Sequence, residues 1–315
     1  MSINKLAFIF PGQGSQKVGM LNEIASEHSI IQHTFAEASD VLGYDLWAFV
    51  QQGPQEELNL TEKTQPLLLT ASVALWRLWQ QQGLPQPEYL AGHSLGEFTA
   101  LVCAQSLQFT DAVKLVQQRG QFMQSAVPVG VGAMAAIIGL DDDKINQACN
   151  DAAQGECVAA VNYNSPGQVV IAGKAEAVQR AIEACKAAGA KRAMPLPVSA
   201  PFHTDLMQPA GEKLGEAIAA LTISAPQIPV IHNVHAQTES DPVKIAALLV
   251  EQISSPVQWV SCVKTMAESG VAYAVECGPG NVLSGLIRRI DKSIGASTID
   301  SPAGFEKATA AIAEL

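Results

Sequence analysis

The segment YLAGHSLGEFTA (residues 89–100) predicts a strand, a tight turn and a helix in immediate succession. Its first residues suit a short strand, whereas LGEFTALVCAQ continues with the composition and spacing of a helix. Gly92 and Gly96 flank Ser94 in a G-x-S-x-G pattern, which can present a serine on a sharp strand-to-helix turn. The pattern alone leaves two interpretations open: Ser94 is an activated nucleophile, or it is a small residue between two glycines.

Strands and helices alternate on both sides of this turn. The apolar run LAFIF (6–10) predicts a buried strand that ends at a P-G-Q-G loop, and residues 64–82 predict a core helix ending at Gly83. Further helices are predicted at 95–105 and 110–126. This alternation indicates a mainly parallel sheet that is covered by helices on both faces.

The order of elements changes between residues 129 and 198. Here the sequence predicts β-α-β-β-α-β, the order of ferredoxin-like units, before buried strands and helices return at PVIHNV and AYAVECGPG. We therefore expect an α/β fold with two parts. An α/β-hydrolase-like large subdomain with a parallel sheet would comprise 1–128 and 199–315, and an inserted ferredoxin-like small subdomain would comprise 129–198.

Composition excludes several classes of protein. The 315 residues include 19 Lys and Arg against 30 Asp and Glu, a net charge of −11, which argues against binding to nucleic acid or to an anionic membrane. The six cysteines form no C-x-x-C pair, so neither a zinc site nor a disulfide framework is indicated. The N-terminal apolar run is too short for a signal peptide and no run is long enough to span a bilayer. We expect a soluble, cytoplasmic protein, with a monomer as the default.

A serine hydroxyl needs a base that accepts its proton and donors that stabilise the resulting oxyanion. Elimination among the six histidines leaves His203, which lies where the inserted segment returns to the large subdomain, a natural position for a cleft. Taken alone, a histidine after Pro-Phe is more often structural than catalytic. His93 directly precedes Ser94 and is expected to point away from its reacting side. The others lie in a polar amphipathic stretch or in an H-x-x-H pair without evident further metal ligands: His28, His33, His232 and His235.

No acidic residue stands out as the third member of a catalytic triad. An α/β hydrolase would place an acid between the serine and the histidine in chain order. Acids in this interval lie at apparent helix starts or on polar faces, where capping and helix-dipole effects explain them; examples are Asp111, Asp141, Asp142, Asp143 and Asp151. A serine–histidine pair that is oriented by another kind of group fits the sequence better.

Two segments can supply the backbone donors of an oxyanion hole. One donor is the N–H of Leu95, at the N-terminus of the helix after the turn. The other is expected in FPGQGSQ (10–16), where Gly12 and Gly14 permit close approach of the backbone. A phosphate cradle is the competing interpretation. It is disfavoured because the G-K-[ST] ending of a P-loop and the third glycine of a dinucleotide site are both missing.

Six ordered motifs together resemble the malonyl-CoA:acyl carrier protein transacylases and the related acyltransferase domains of polyketide synthases. The resemblance spans nearly the whole chain, and the ordered set is far more specific than any single motif. The motifs are FPGQGSQ (10–16), GHSLGE (92–97), QQRG around Arg119, VSAPFH (198–203), QISSPVQW (252–259) and ECGPGNVL (276–283).

The resemblance implies a role for each matching residue. Ser94 would be the acylated nucleophile and His203 its general base, with the imidazole oriented by the main-chain carbonyl of Gln252 instead of an acid. Arg119 would bind the carboxylate of the malonyl group through parallel hydrogen bonds, although helix spacing alone would favour an exposed arginine. The backbone N–H groups of Gln13 and Leu95 would form the oxyanion hole. Phe202 would determine acyl selectivity, because its ring would crowd an α-methyl branch.

The implied reaction is ping-pong transfer through a malonyl-serine ester, in fatty-acid synthesis, with malonyl-CoA and phosphopantetheinylated acyl carrier protein as substrates and no metal or redox cofactor. Because acyl carrier proteins are acidic, docking on this acidic chain requires a local basic patch. The best-placed candidates are Lys191, Arg192, Arg288 and Arg289, although these pairs are equally compatible with solvated element ends. Two other functions stay open: a serine thioesterase or other hydrolase, and an inert module that binds the carrier protein.

Overall fold

The computed structural model describes residues 5–198 and 200–315, and its strands form two separate sheets. The strands are β1 (Lys5–Phe10), β2 (Tyr89–Gly92), β3 (Gly132–Ile138), β4 (Val158–Ser165), β5 (Gln168–Lys174), β6 (Arg192–Pro195), β7 (Val230–Ile231), β8 (Val271–Glu276) and β9 (Gly295–Thr298).

Helices cover the sheets and connect most of the strands. They are α1 (Asn22–Glu27), α2 (Ser29–Leu42), α3 (Leu46–Gln52), α4 (Gln55–Leu58), α5 (Thr61–Gln81), α6 (Leu95–Cys103), α7 (Phe109–Ser125), α8 (Asp142–Ala153), α9 (Ala175–Ala187), α10 (Gln208–Ala219), α11 (Pro242–Gln252), α12 (Trp259–Glu268), α13 (Val282–Ile290) and α14 (Pro302–Ala313), with a short 3₁₀ helix at Asp205–Met207.

The larger sheet is parallel, in the order β7-β2-β1-β8-β9. Its central strand β1 is buried from Leu6 to Phe10, because helices cover both of its faces, which explains why the strand is a continuous apolar run. The carboxyl ends of β1, β2 and β8 meet at one edge of the sheet. In open parallel sheets this edge is where ligands bind.

The long helix α5 lies against this sheet and forms much of its core. Phe8 on β1 packs edge-on against Trp76 and Trp79 of the helix, with ring centroids 5.4 and 5.0 Å apart. Such aromatic contacts combine a large buried apolar area with a preferred geometry. The helix begins three residues before the predicted start at Thr64, so it brings Thr61 and Glu62 against α7 at Gly120.

The smaller sheet is antiparallel, in the order β4-β5-β3-β6, and packs against α8 and α9. The element order from β3 to β6 is the predicted β-α-β-β-α-β. The predicted α/β fold class, with a parallel sheet and a separate antiparallel sheet, is confirmed. The proposed first boundary at 128/129 lies between α7 and β3. At the second boundary, Ser199, which also belongs to the VSAPFH motif, lies outside the described residues, as does the N-terminal MSIN segment.

Backbone hydrogen bonds connect the smaller sheet to the large subdomain. Val257, just before α12, accepts from the N–H of Tyr163 at 3.0 Å, and its own N–H donates to the carbonyl of Val161 at 2.8 Å. This link places the polar end of β4 opposite the carboxyl edge of the parallel sheet. The space between the two sheets therefore has one wall from each.

Two predicted strands are shorter in the structure. PVIHNV contributes only Val230 and Ile231 to the sheet, because His232 then starts a turn closed by the Ala236 N–H and the Asn233 N–H bonds a side chain instead of a strand. The last strand of the predicted β-α-β-β-α-β order, expected in the AKRAMPLPV segment before the boundary at residue 198, contains only Arg192–Pro195. Within the described ranges, no helix is both long and apolar enough to cross a bilayer, and the cysteines are free thiols.

Candidate active site

Ser94 lies at a sharp turn between β2 and α6. Its φ of 52° and ψ of −105° are a conformation that costs free energy for any residue other than glycine. The flanking glycines make the turn possible. A Cβ on Gly92 would lie 1.9 Å from the carbonyl carbon of Gly96, and one on Gly96 would lie 2.0 Å from the carbonyl oxygen of Phe10. The helix thus packs on the sheet with no room for a side chain at either position.

Asn233 holds this turn from the neighbouring segment. Its Oδ1 accepts from the Ser94 N–H at 2.7 Å, and its Nδ2 donates to the carbonyl of Gly92 at 2.7 Å. Both bonds are made by a fully buried side chain, where hydrogen bonds are strong and their loss is costly. The sequence interpretation missed Asn233, because it assigned PVIHNV to a strand and looked no further.

His203 contacts the serine directly. Its Nε2 lies 2.8 Å from the Ser94 Oγ, and its Nδ1 lies 2.8 Å from the main-chain carbonyl of Gln252. A carbonyl can only accept, so we assign the proton of the neutral imidazole to Nδ1, which leaves the Nε2 lone pair facing the serine hydroxyl. The arrangement can remove the hydroxyl proton, and the group that orients the imidazole is a carbonyl.

The environment keeps this imidazole neutral. Burial lowers the pKa of His203 to about 3, with a further lowering by the positive charge of Arg119, and the hydrogen bond to Gln252 opposes both. A histidine that is unprotonated at neutral pH is available as a base. The imidazole and the guanidinium lie on two sides of the same hydroxyl, so charge repulsion disfavours a state in which both His203 and Arg119 are positively charged.

Arg119 is buried, with 1% of its surface exposed, which excludes the interpretation as an exposed helix residue. Its Nη1 donates to Gln65 Oε1 at 2.8 Å, and its Nη2 donates to Gln252 Oε1 at 2.8 Å and to Ser94 Oγ at 3.1 Å. The buried Nε–H has no hydrogen-bond partner among the described residues. Burial lowers the pKa of Arg119 to about 10, against the opposing effect of Glu97, so the side chain stays cationic at neutral pH.

A cavity of about 530 Å³ opens in front of Ser94, between the two sheets. The 12–16 loop and Leu95 form one wall, so Gln13 and Leu95 both line the cavity, as the oxyanion-hole prediction requires. Leu95 is the first residue of α6, where backbone N–H groups lack partners within the helix. The opposite wall carries three amide side chains from the smaller sheet, Asn162, Asn164 and Gln168, together with the ring of Phe202.

His93 borders the same cavity, although it was expected to point away from the serine. Its Nε2 lies 2.8 Å from Asn164 Oδ1 on β4, so the residue connects the turn to the smaller sheet. Burial lowers its pKa, and the ring is therefore neutral at neutral pH. Within the described residues no hydrogen bond joins His93 to the Ser94 hydroxyl.

Glu97 is a buried acid that the sequence interpretation overlooked. It lies in the first turn of α6, between Ser94 and His203 in the chain, and no part of it is exposed. Its Oε1 lies 2.7 Å from His232 Nδ1, and within the described part of the chain no hydrogen bond joins it to His203. His235 is exposed, and the described residues contain no cluster of three potential metal ligands around this H-x-x-H pair. The signal that could have revealed Glu97 is a lone charge within the apolar run LGEFTALVC.

The four basic residues proposed for docking are all exposed. Arg289 donates from Nη1 to Gln168 Oε1 at 2.7 Å, and Gln168 lines the cavity of Ser94. An adjoining cavity of about 510 Å³ is lined by Arg288, Arg289 and Lys307, and it shares Gln168, Val282 and Leu286 with the first. Positive charge therefore lies beside the path to Ser94.

A hydroxyl beside a neutral imidazole at a helix N-terminus is the arrangement with which enzymes pass acyl groups through a serine. Fold and site place the chain in this class of acyl-transferring serine enzymes. The model of the acyl transferase domain family matches residues 7–303, and the chain belongs to that family. The family resemblance inferred from the six motifs is confirmed.

Characterised relatives align over nearly the full length. The malonyl CoA-acyl carrier protein transacylase of Salmonella typhimurium is 58% identical over 306 residues, 97% of this chain and 99% of the relative. The transacylase of Bacillus subtilis is 42% identical, over 99% of this chain and 98% of the relative. Among solved structures, an acyl carrier protein S-malonyltransferase from Vibrio cholerae superimposes with a TM-score of 0.95 at 58% identity, over 96% and 99%. A malonyl-transacylase in complex with a type II PKS acyl-carrier protein has a TM-score of 0.96 at 52% identity, over 98% and 100%.

Proposed function

We propose that this chain transfers a malonyl group from malonyl-CoA to the phosphopantetheine thiol of acyl carrier protein, through a malonyl ester on Ser94, and so supplies fatty-acid synthesis in the cytoplasm. The observation that carries the proposal is the position of the Ser94 Oγ, 2.8 Å from His203 Nε2 and 3.1 Å from Arg119 Nη2. One neighbour can take its proton, and the other can hold an anionic acyl group. The relatives from Salmonella typhimurium and Vibrio cholerae are named for the same transfer.

In the first half of the reaction, the Ser94 Oγ attacks the thioester carbonyl while His203 Nε2 accepts the hydroxyl proton. Backbone N–H groups of Gln13 and Leu95 stabilise the oxyanion. The carbon–sulfur bond breaks, His203 returns the proton to the departing thiolate, and an ester remains on Ser94. In the second half, the thiol of the carrier protein attacks this ester and the steps run in reverse. Only an acyl group and a proton move, so the proposed steps need neither a metal nor a redox cofactor.

Arg119 selects the acyl group in this proposal. The malonyl carboxylate can accept from the unpartnered Nε–H and from Nη2, which lie side by side on the planar guanidinium; at Nη2 it would replace the Ser94 oxygen as an acceptor. The buried setting strengthens this ion pair and keeps bulk water away from the ester. A buried arginine with an unpartnered N–H also favours a transferase for dicarboxylic acyl groups over a general thioesterase.

Intact-mass spectrometry tests the proposed function. Mixing the protein with malonyl-CoA should add one malonyl group per chain, and adding the phosphopantetheinylated carrier protein should move that mass to the carrier. The adduct should be missing in Ser94→Ala and should persist in Ser15→Ala, the matched change of another hydroxyl at the same cavity. Release of free malonate at a rate that is independent of the carrier protein would indicate a hydrolase instead. The absence of any adduct would favour the inert module that binds the carrier protein.

The pKa of His203 predicts the pH dependence of the first half-reaction. The base acts when it is unprotonated, and with a pKa of about 3 it stays unprotonated throughout the range from pH 8 to pH 5. We expect kcat/KM for acylation, which reports the free enzyme, to change less than about threefold over this range. With an ordinary pKa near 6.5 it would fall about 30-fold by pH 5. The assay should use malonyl-pantetheine as the acyl donor, because it lacks the phosphates of CoA, which titrate in this pH range. A midpoint near pH 6.5 would contradict the prediction.

Phe202 is expected to favour malonyl over methylmalonyl. The ring is 8% exposed, lines the cavity and directly precedes His203, so an α-methyl branch would meet it close to the reacting carbon. A misfitting methyl group costs about 1–3 kcal/mol in a packed pocket, or roughly 10- to 200-fold in kcat/KM. Kinetics with both CoA esters would measure the ratio, and Phe202→Ala should narrow it. Equal kcat/KM values in the parent protein would contradict this role.

The exposed basic residues are proposed to dock the acidic carrier protein. Reversing the charge of Arg192 and Arg288 together should raise KM for the carrier about tenfold at low salt, with the difference shrinking as salt is added. Lys114→Glu on α7 is a matched control, because it is exposed and lies outside both cavities. An unchanged KM for the carrier at low salt would contradict docking at this surface.

A further inference from the structure

The carboxylate of Glu97 is fully buried and carries three hydrogen bonds. Besides the contact with His232, its Oε2 accepts from the N–H of Asn233 at 2.9 Å and from Gln252 Nε2 at 2.8 Å. Burying a carboxylate is costly unless such partners compensate for the lost water. Two of the three partners belong to residues that contact the active-site groups, so the arrangement reaches beyond the stability of α6.

Gln252 connects Glu97 to both catalytic side chains. Its carbonyl oxygen accepts from His203 Nδ1 at 2.8 Å, and its Oε1 accepts from Arg119 Nη2 at 2.8 Å. Its amide nitrogen donates to Glu97 and, at 3.0 Å, to the carbonyl of Ser94. With both amide hydrogens engaged, the side chain has one orientation, and its oxygen is held toward Arg119. Without Glu97, one amide hydrogen would lack its acceptor.

Asn233 connects Glu97 to the nucleophile. The Asn233 N–H is bonded to Glu97, while the Asn233 side chain bonds the N–H of Ser94 and the carbonyl of Gly92. The same carboxylate oxygen therefore anchors the segment that clamps the turn. A turn with unfavourable dihedral angles persists only when its surroundings over-determine it.

We propose that Glu97 is a positioning residue for acyl transfer: through Gln252 and Asn233 it fixes His203, Arg119 and Ser94 relative to one another. This inference rests on the proposed function, because it concerns the same acylation. Glu97 touches none of the reacting atoms, so it differs from the acid of a hydrolase triad, which bonds the imidazole itself. Its negative charge also favours the cationic form of the buried Arg119 before a substrate carboxylate arrives.

Two substitutions separate this role from simple structural support. Glu97→Met keeps the length of the side chain but removes the acceptor for Gln252 and Asn233. Glu97→Gln keeps an acceptor: its amide oxygen can replace Oε2, and its amide nitrogen can donate to His232 Nδ1. That bond requires the histidine proton on Nε2, an atom with no partner among the described residues. Hydrogen-bonded positioning therefore predicts that Glu97→Gln rescues what Glu97→Met loses.

The readout is the rate constant of malonyl-adduct formation, followed by rapid quenching and intact mass. The final adduct level counts the chains that can be acylated, so a loss of folded protein lowers the level and leaves the rate constant unchanged. We expect Glu97→Met to lower the rate constant about 100-fold, the scale of a misplacement near 1 Å, and Glu97→Gln to stay within about tenfold of the parent. Thr34→Val is the control for loss of a buried hydrogen-bonding group, because Thr34 is also fully buried but donates to the carbonyl of Ile30 within α2 and lies outside both cavities. Its rate constant should change less than about threefold.

A parental rate constant in Glu97→Met would overturn the proposal, and so would equal slowing by Glu97→Gln and Glu97→Met, or equal slowing in the Thr34→Val control. If Glu97→Met yields no folded protein, Gln252→Met decides, since it breaks the same side-chain link and keeps the carbonyl that bonds His203. It should also slow acylation about 100-fold, and a parental rate would overturn the proposal. A parent protein that forms no adduct would contradict the proposed function instead.

Discussion

Arg119→Met is expected to lower kcat/KM for malonyl-CoA about 1,000-fold while changing kcat/KM for acetyl-CoA less than about tenfold. Removing one partner of a buried charge pair costs about 3–5 kcal/mol, because the other charge is left without compensation. The malonyl carboxylate would face this cost in a cavity lined by Met123, Leu283 and Leu286. An acetyl group carries no charge, and a thioether at position 119 would suit its methyl.

The ratio of the two kcat/KM values is the decisive measurement, because Arg119 also donates to Ser94 Oγ and Gln252 Oε1, and both esters depend on those contacts. Arg119→Lys is the matched control: it keeps a cation but offers no planar pair of N–H groups, and should lie between the parent and Arg119→Met. Equal losses for the two esters would mean that Arg119 organises the site without selecting the acyl group.

The geometry also explains why a neutral imidazole that acts as a base and a fixed cation can coexist at one serine. A protonated His203 would stand across the hydroxyl from the guanidinium, and that repulsion, added to burial, holds the pKa of His203 near 3. The positive charge beside the serine therefore belongs to Arg119 alone in the resting site. It is available to a substrate anion without competing for the proton that the imidazole must accept.

The sequence predicts the parts of the site that depend on local patterns. The turn at Ser94 follows from its glycines and from the change of periodicity around it, and the fold class follows from the alternation of apolar runs. The buried position of Arg119 was harder to predict, because helix spacing alone suggests that the side chain is exposed. Its face of α7 is buried because Gly120 lets the backbone of α5 approach closely, a contact between segments 58 residues apart.

The residues that sequence reasoning missed act across long separations. Glu97 reaches its partners at 135 to 155 positions along the chain, and Asn233 reaches the turn at 139 and 141. Glu97 is the last residue of the GHSLGE motif, but the motif alone assigns it no role, and an asparagine beside a short strand is ordinary in a single sequence. The folding of the whole parallel sheet, with β7 beside β2, makes their positions meaningful.

Gly96→Ala is expected to lower the free energy of unfolding by more than about 3 kcal/mol. The added Cβ would lie 2.0 Å from the carbonyl oxygen of Phe10, a backbone atom at the end of the central strand, so relief requires α6 to move away from the sheet. Such a movement would also displace Ser94 and Glu97. Urea unfolding measures the loss. Gly285→Ala is the matched control, because that glycine lies inside α13 and, apart from its chain neighbours and the helix's own backbone, no described atom lies within 4 Å of the added methyl. Alanine there should stabilise the helix by up to about 1 kcal/mol. Equal unfolding midpoints for Gly96→Ala and the parent would contradict the close contact that shapes the turn.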